Sequence, residues 1–237
     1  MTDQSVTVAP IGHITSPFKQ KFAIPRQPNL ANASGQVVLS ADFTDMSVFK
    51  GLEGFSHVWL LFLFHENAQR GWKPTVKAPR LGGNATMGVF ASRSTHRPNG
   101  IGMSVVENKG VSETVEGIVL NVNGVDLLDG TPIIDIKPYL PYADCISTAT
   151  DNLANYAPIP AREVKISEHV KAQLHQASLR HQDLPELIVS VLRQDARPAY
   201  KHKLNDDPKT YWVTLYNYDI GFCVSDATVI VTEMKVL

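Results

Sequence analysis

The 237-residue sequence predicts a mainly β protein: an antiparallel β-barrel domain over residues 1–145, a linker over 146–162, and a small α+β domain over 163–237. Three observations carry this prediction. Short apolar runs separated by turn residues fill the first part of the chain. No long amphipathic helix interrupts them. Beyond the linker the texture changes to two helix-like segments followed by three strand-like runs. Closing the first sheet into a barrel would also remove its exposed strand edges.

The elements follow in order. "VTVAPIGHI" (Val6–Ile14) reads as a strand ending at Ser16-Pro17, and "GQVVLSA" follows the turn-prone "PNLANASG". "SHVWLLFLFHE" (Ser56–Glu66) is apolar at successive positions and reads as a central strand buried on both faces. "ATMGVFASR", "GMSVVENKG" and "TVEGIVLNVNG" continue the series. "PYLPYADCISTATDNLANYAPIPA" has little periodicity and reads as linker. Ser167 is placed to cap one helix, with Val170, Leu174 and Ala177 at helical spacing, and Asp183 to cap a second that tolerates Pro185 in its first turn. The last strands are expected to turn at Tyr218-Asp219 and Ser225-Asp226.

Composition narrows the function classes. The net charge is −1, so any anion-binding surface must be local. Cys145 and Cys223 form no C-x-x-C, which fits a reduced, cytoplasmic setting without structural zinc. No basic-then-apolar leader opens the chain, and "VWLLFLF" is far too short to span a bilayer. Phosphate-binding loops, dinucleotide fingerprints, nucleophile elbows and metal-ligand spacings are absent from the sequence, so neither a membrane nor a metal partner is expected.

Charge is uneven nonetheless. Asn67–Val106 contains no acid but carries Arg70, Lys73, Lys77, Arg80, Arg93 and Arg97; Gln4–Ala41, also acid-free, carries Lys19, Lys21 and Arg26; Arg197, Lys201 and Lys203 form a third cluster. Such clusters suit a polyanion such as RNA, or else are solvated faces whose counter-charges come from elsewhere in the fold. In "ASRSTHRPNGIGMS" (Ala91–Ser104), Pro98-Asn99-Gly100 has turn composition, and the glycines admit a ligand or another strand close to the backbone. Turn chemistry does not account for Arg93 and Arg97, whose guanidinium forks suit carboxylate or phosphate. Arg26-Gln27 sits between prolines in a stiff loop, and His65 ends the central strand, either as a core-edge residue or facing a cleft. In "DIKPY", Asp135 and Lys137 point to one side of a strand with Tyr139 at its exit; they either pair together or face a ligand.

Together "SPFKQKFAIPRQP", "GLEGFSHVWLLFLFH", "RLGGNATMGVFASRSTHRPNGIGMS" and "DLLDGTPIIDIKPYLPYAD" closely resemble the TsaA/YaeB-like (TrmO) family of S-adenosylmethionine-dependent tRNA methyltransferases, and the resemblance extends to "QDARPAYKH". It implies a homodimeric barrel that methylates N6 of threonylcarbamoyladenosine at position 37, in the anticodon-loop region of threonine tRNA. The cofactor contacts it implies are Pro25, Arg26, Gln27, His65, Glu66, Arg93, Met103, Asp126, Leu127, Leu128 and Asp129. Within that reading Asp135 accepts the N6 proton, Tyr139 stacks or donates a hydrogen bond, and Lys137 holds the threonyl carboxylate or a phosphate. Arg97, Arg197, Lys201 and Lys203 then meet RNA phosphate. Gly100 stands where the family usually has proline, and His96 where it often has an apolar residue. The same cofactor residues would serve a regulator that binds S-adenosylmethionine without catalysis, or a methyltransferase for another RNA or a small molecule.

Overall fold

The computed structural model describes residues 6–77, 86–151 and 159–237, the side chains of 68–70 excepted. In chain order the strands are β1 (Gly12–Thr15), β2 (Ser34–Leu39), β3 (His57–Leu63), β4 (Thr75–Lys77), β5 (Thr86–Gly88), β6 (Ile101–Thr114), β7 (Gly117–Asn123) and β8 (Pro132–Pro138). The one-turn helix α1 (Pro141–Asp144) follows. After it come β9 (Val164–Ile166), α2 (Glu168–Ser178), α3 (Leu184–Leu192), β10 (Asp207–Leu215), β11 (Tyr218–Ser225) and β12 (Thr228–Val236).

The molecule is mainly β, with a sheet-rich N-terminal part and a helix-containing C-terminal part. β1, β2, β7, β6, β3 and β8 pair antiparallel in that order, and β8 returns to β1 through Gly12↔Ile133, closing the barrel. Strand alternation fills the inside: Ile14, Val37, Leu60, Val106, Leu120 and Ile133 are each fully buried. Against expectation, β3 is not buried on both faces. Val58, Leu60 and Phe62 are buried, while His57, Trp59, Leu61 and Leu63 are only partly covered. Its excess of apolar residues lies on the outer face, where Leu61 and Leu63 form the wall of a cavity.

"ATMGVFASR" is not a strand of the closed sheet. Only Thr86–Gly88 is extended, and it pairs with β4 in a separate two-stranded hairpin. Arg80 and the side chain of Arg70 lie outside the described residues, as do residues 152–158 of the expected linker.

In the C-terminal part, β10, β11, β12 and β9 form a sheet whose last pairing is parallel. The sequence reading missed β9 because three residues give no periodicity and their partner lies far along the chain. α2 and α3 bury Val170, Leu174, Leu187, Ile188 and Val191 against this sheet. Ser167 and Asp183 occupy the N-cap positions, but neither side chain caps its helix. The Asp183 carboxylate instead accepts a 2.6 Å hydrogen bond from the Tyr216 hydroxyl. The first hairpin turn is at Tyr216-Asn217 rather than Tyr218-Asp219, with Tyr216 at φ 53°. The second holds Asp226 and Ala227, both at positive φ as a tight two-residue turn requires.

Both sheets contribute to one apolar core. Phe18 bridges to Leu215, the Tyr216 amide donates to the Pro17 carbonyl at 2.8 Å, and the Gln194 amide donates to the Leu30 carbonyl at 2.9 Å. No helix among the described residues is long and apolar enough to cross a membrane.

Candidate functional site

A cavity of about 500 Å³ opens where the outer ends of β3 and β6 meet three loops. Its position follows from the turn at Pro98–Gly100. Asn99 and Gly100 take φ of 63° and 60°, the conformation anticipated for them, and the Gly100 carbonyl accepts from the Phe64 amide at 2.7 Å. That turn feeds β6 directly beside β3. Gly102 is needed for a different reason: a Cβ there would lie 2.8 Å from the Phe64 ring and closer still to Phe62. The close approach to this glycine is therefore made by the protein's own aromatics and not by a ligand.

One wall is the loop carrying Pro25, Arg26 and Gln27, bracketed by Ala23 and Asn29 at positive φ. The Gln27 side-chain carbonyl accepts from the Arg93 guanidinium at 2.6 Å, which joins this loop to the Ser92–Arg97 segment. His65 and Glu66 stand at the end of β3, and Lys21 lies 3.6 Å from the Glu66 carboxylate. Met103 projects from β6, half exposed. Asp126, Leu127 and Leu128 close the floor. The sequence reading thus names residues from five separate segments that the fold gathers around one cavity.

Asp126 is the electrostatic centre of this floor. Burial pushes its carboxyl up to about 6, against opposing pulls from the Ser104 hydroxyl, which donates to it at 2.6 Å, and from the nearby Arg93 charge. Ser104 is itself buried and was not anticipated; its partner is 22 residues away and no local motif links them. Leu61, Leu63 and Phe64 were also missed as lining residues. Their only signal was the surplus hydrophobicity of the central strand.

Asp129 departs from expectation. It does not line the cavity; its carboxylate pairs with Lys19 at 2.7 Å and accepts from the Ser16 amide at 2.9 Å, fixing the loop from outside. Asp135, Lys137 and Tyr139 are likewise absent from the cavity wall. Lys137 pairs with Asp135 at 2.8 Å on the outer face of β8, and the Tyr139 ring tilts against Trp59 at 5.8 Å. Asp135 nevertheless stands across from Leu61 in the strand register, one strand away from a residue of the wall.

The basic clusters separate once folded. Lys19 and Lys21 have acidic partners from elsewhere in the chain. Arg197 is not a surface cation. Its side chain is fully buried, donates to both oxygens of Asp195 at 2.8 Å and reaches Asp207 at 3.3 Å. Two acids drawn from flanking segments made this arginine structural. Lys201 lies 3.5 Å from the same Asp207, and Lys203 is exposed. Arg97 lines the cavity and donates to the Ser92 carbonyl at 2.9 Å. Among the described residues no carboxylate pairs with Lys73, Lys77, Arg93, Arg97 or Lys203. No group of three or more potential metal ligands gathers among them either.

An arginine fork, an enclosed carboxyl and apolar walls together suit a small ligand with both a carboxylate and a positive charge. Comparison with known proteins points the same way. The chain is 47% identical over 218 residues to the tRNA (adenine(37)-N6)-methyltransferase of Escherichia coli K12, covering 92% of each protein. It is 48% identical over 216 residues to a putative S-adenosylmethionine-dependent methyltransferase, RcsF, of Pseudomonas aeruginosa PAO1, covering 90% of each. The crystal structure of TrmO from Pseudomonas aeruginosa superposes with a TM-score of 0.79 at 39% identity, over 98% of this chain and all of that one. The family model of the tRNA-methyltransferase O N-terminal domain matches residues 13–145 and that of the TrmO C-terminal domain matches 160–237, so the chain belongs to the tRNA-methyltransferase O family.

Proposed function

We propose that the protein is an S-adenosylmethionine-dependent methyltransferase acting on N6 of adenine 37 in tRNA, with threonylcarbamoyladenosine of threonine tRNA as the base. The observation that supports this best is the single cavity in which Arg93, Gln27 and Asp126 converge beside apolar walls. That donor set fits the proposed cofactor. A guanidinium matches its carboxylate, an enclosed carboxyl offsets its positive charge, and the cavity volume falls in the range of small-molecule sites. When bound, the cofactor supplies an electrophilic methyl group on a cationic sulfur.

The rest of the work falls to the chain. Gln27 holds one face of the Arg93 fork and leaves its other N–H groups for a carboxylate. Pro25, Arg26, His65, Glu66, Met103, Leu127 and Leu128 would line the bound cofactor. Asp129 acts one step back, through Lys19 and Ser16. N6 of threonylcarbamoyladenosine is a urea nitrogen and a weak nucleophile, because its lone pair is delocalised into the ring and the carbonyl, so orientation dominates and its one proton leaves late. Asp135 accepts that proton at the rim of the wall, Tyr139 stacks on the base, and Lys137 turns from Asp135 to the threonyl carboxylate. The protein would assemble as a homodimer. The chain would then divide into a catalytic part up to residue 145 and an accessory part from 163, working in the cytoplasm.

Incubating the protein with methyl-labelled cofactor and tRNA, with and without threonylcarbamoyl at position 37, tests the proposal. Label on N6 of the modified base alone is expected. Label elsewhere, or none, overturns it.

A further inference from the structure

The β4–β5 hairpin stands outside the closed sheet, and two large aromatic side chains at its root have no visible purpose there. Trp72 is 57% exposed and Phe90 79% exposed. Neither ring has an aromatic partner among the described residues. The backbone that presents them is well fixed. The Val89 amide donates to the Pro74 carbonyl at 3.0 Å, the Lys73 amide donates to the His96 carbonyl at 3.3 Å, and Val76 and Val89 are buried beneath. Exposed rings on an anchored frame lose little conformational freedom when something stacks on them.

Charge identifies what that is. Lys73 follows Trp72 in the chain and Lys77 ends β4; both are exposed and have no carboxylate partner among the described residues. No acid occurs from Asn67 to Val106. Two residues beyond Phe90, Ser92 and then Arg93 already line the cavity, so the surface runs into its mouth. A two-fold contact with another copy of the same patch would set lysine against lysine, which like-charge repulsion disfavours. A polyanion with unstacked planar bases meets both features at once: phosphates take the lysines and bases take the rings.

Resting on the function proposed above, the geometry points to a docking surface for single-stranded RNA at the β4–β5 hairpin. Trp72 and Phe90 stack on anticodon-loop bases near the target, and Lys73 and Lys77 take phosphates of the same single strand. This surface adds an aromatic element to the cationic contacts.

Three substitutions at exposed positions, Trp72→Ala, Phe90→Ala and Trp72→Phe, test it without disturbing the core. Affinity is measured for an anticodon stem-loop RNA and for a blunt duplex of the same stem, across a salt series. Each alanine variant is expected to weaken stem-loop binding about tenfold, the phenylalanine variant much less, and duplex binding not at all. The salt slope should stay unchanged for the aromatic variants and fall by about 0.7 for Lys73→Ala or Lys77→Ala. Equal losses on both RNAs, or none, overturn the surface. So does a fall in assembly mass by sedimentation, which would make the rings a contact between copies. If the wild-type protein methylates the stem-loop while the alanine variants bind it as tightly, only the docking surface fails. If the wild type methylates no RNA, the proposed function fails and takes the surface with it.

Discussion

Asp126 shows how one residue's surroundings set a measurable property of the whole chain. Its carboxyl ordinarily titrates near 3.8, and burial in the cavity floor pushes it up to about 6. Between those values the folded chain holds a proton that the unfolded chain has lost, so stability from this group declines as pH rises through that window. At neutral pH the charged carboxylate costs about 2–3 kcal/mol relative to acid conditions. Asp126→Asn keeps a hydrogen-bond partner for Ser104 and removes the charge. Urea unfolding should find the variant roughly 2 kcal/mol more stable than wild type at pH 7.5 and nearly equal at pH 4. Calorimetry should find its affinity for S-adenosylmethionine reduced. A variant with the same pH dependence as wild type would show that another group carries it. The rise at Asp126 was invisible in "NGVDLLDG", because the burial that causes it comes from segments distant in the chain that gather around the cavity floor.

The segment Asp195–Asp207 illustrates the same gap for an element. "QDARPAYKH" looks like a basic surface loop, yet its central arginine is the anchor of a buried ion network. Burial draws the Asp195 pKa upward, but hydrogen bonds from Arg197 and Arg162 outweigh this and hold it below its ordinary value. Arg162 also donates to the carbonyls of Ala227, His202 and Leu204, tying the segment to the β11–β12 turn. Removing one partner from such a network leaves charge uncompensated in the interior. Arg197→Met should therefore cost about 3–5 kcal/mol in urea unfolding. Below its unfolding midpoint the folded fraction should keep the wild-type salt slope for RNA, whereas Lys203→Ala should lower that slope by about one. A lowered slope for Arg197→Met would return that arginine to the RNA surface.

For the molecule as a whole, the question is whether two sheets behave as one body. Phe18 is buried at the seam, where it bridges to Leu215, and Tyr216 is bonded there to Pro17 and Asp183. Because these contacts continue the apolar core from one sheet into the other, wild-type unfolding is expected to be one cooperative event. Phe18→Ala should lower stability by about 3–5 kcal/mol and uncouple the parts. Hydrogen exchange reads this directly at the Leu120 and Phe222 amides. Their opening free energies should match in wild type and diverge in the variant. Matching values in both would place the coupling elsewhere along the seam.

The sequence by itself determined the class of fold, the change of texture beyond residue 140, the turn at Asn99-Gly100, and the set of segments that supply the cavity. These are local properties: alternation, turn chemistry and motif composition act over a few residues. Only the tertiary structure decided that "ATMGVFASR" leaves the sheet, that Asp129 braces the loop from behind, that Asp135 faces Lys137, and that Arg197 is interior while Trp72 and Phe90 are not. Each of those outcomes depends on which side chain arrives opposite in the folded chain. Burial and ion pairing are settled by partners two residues away in one case and more than a hundred in another, and a short stretch of chain does not choose among them.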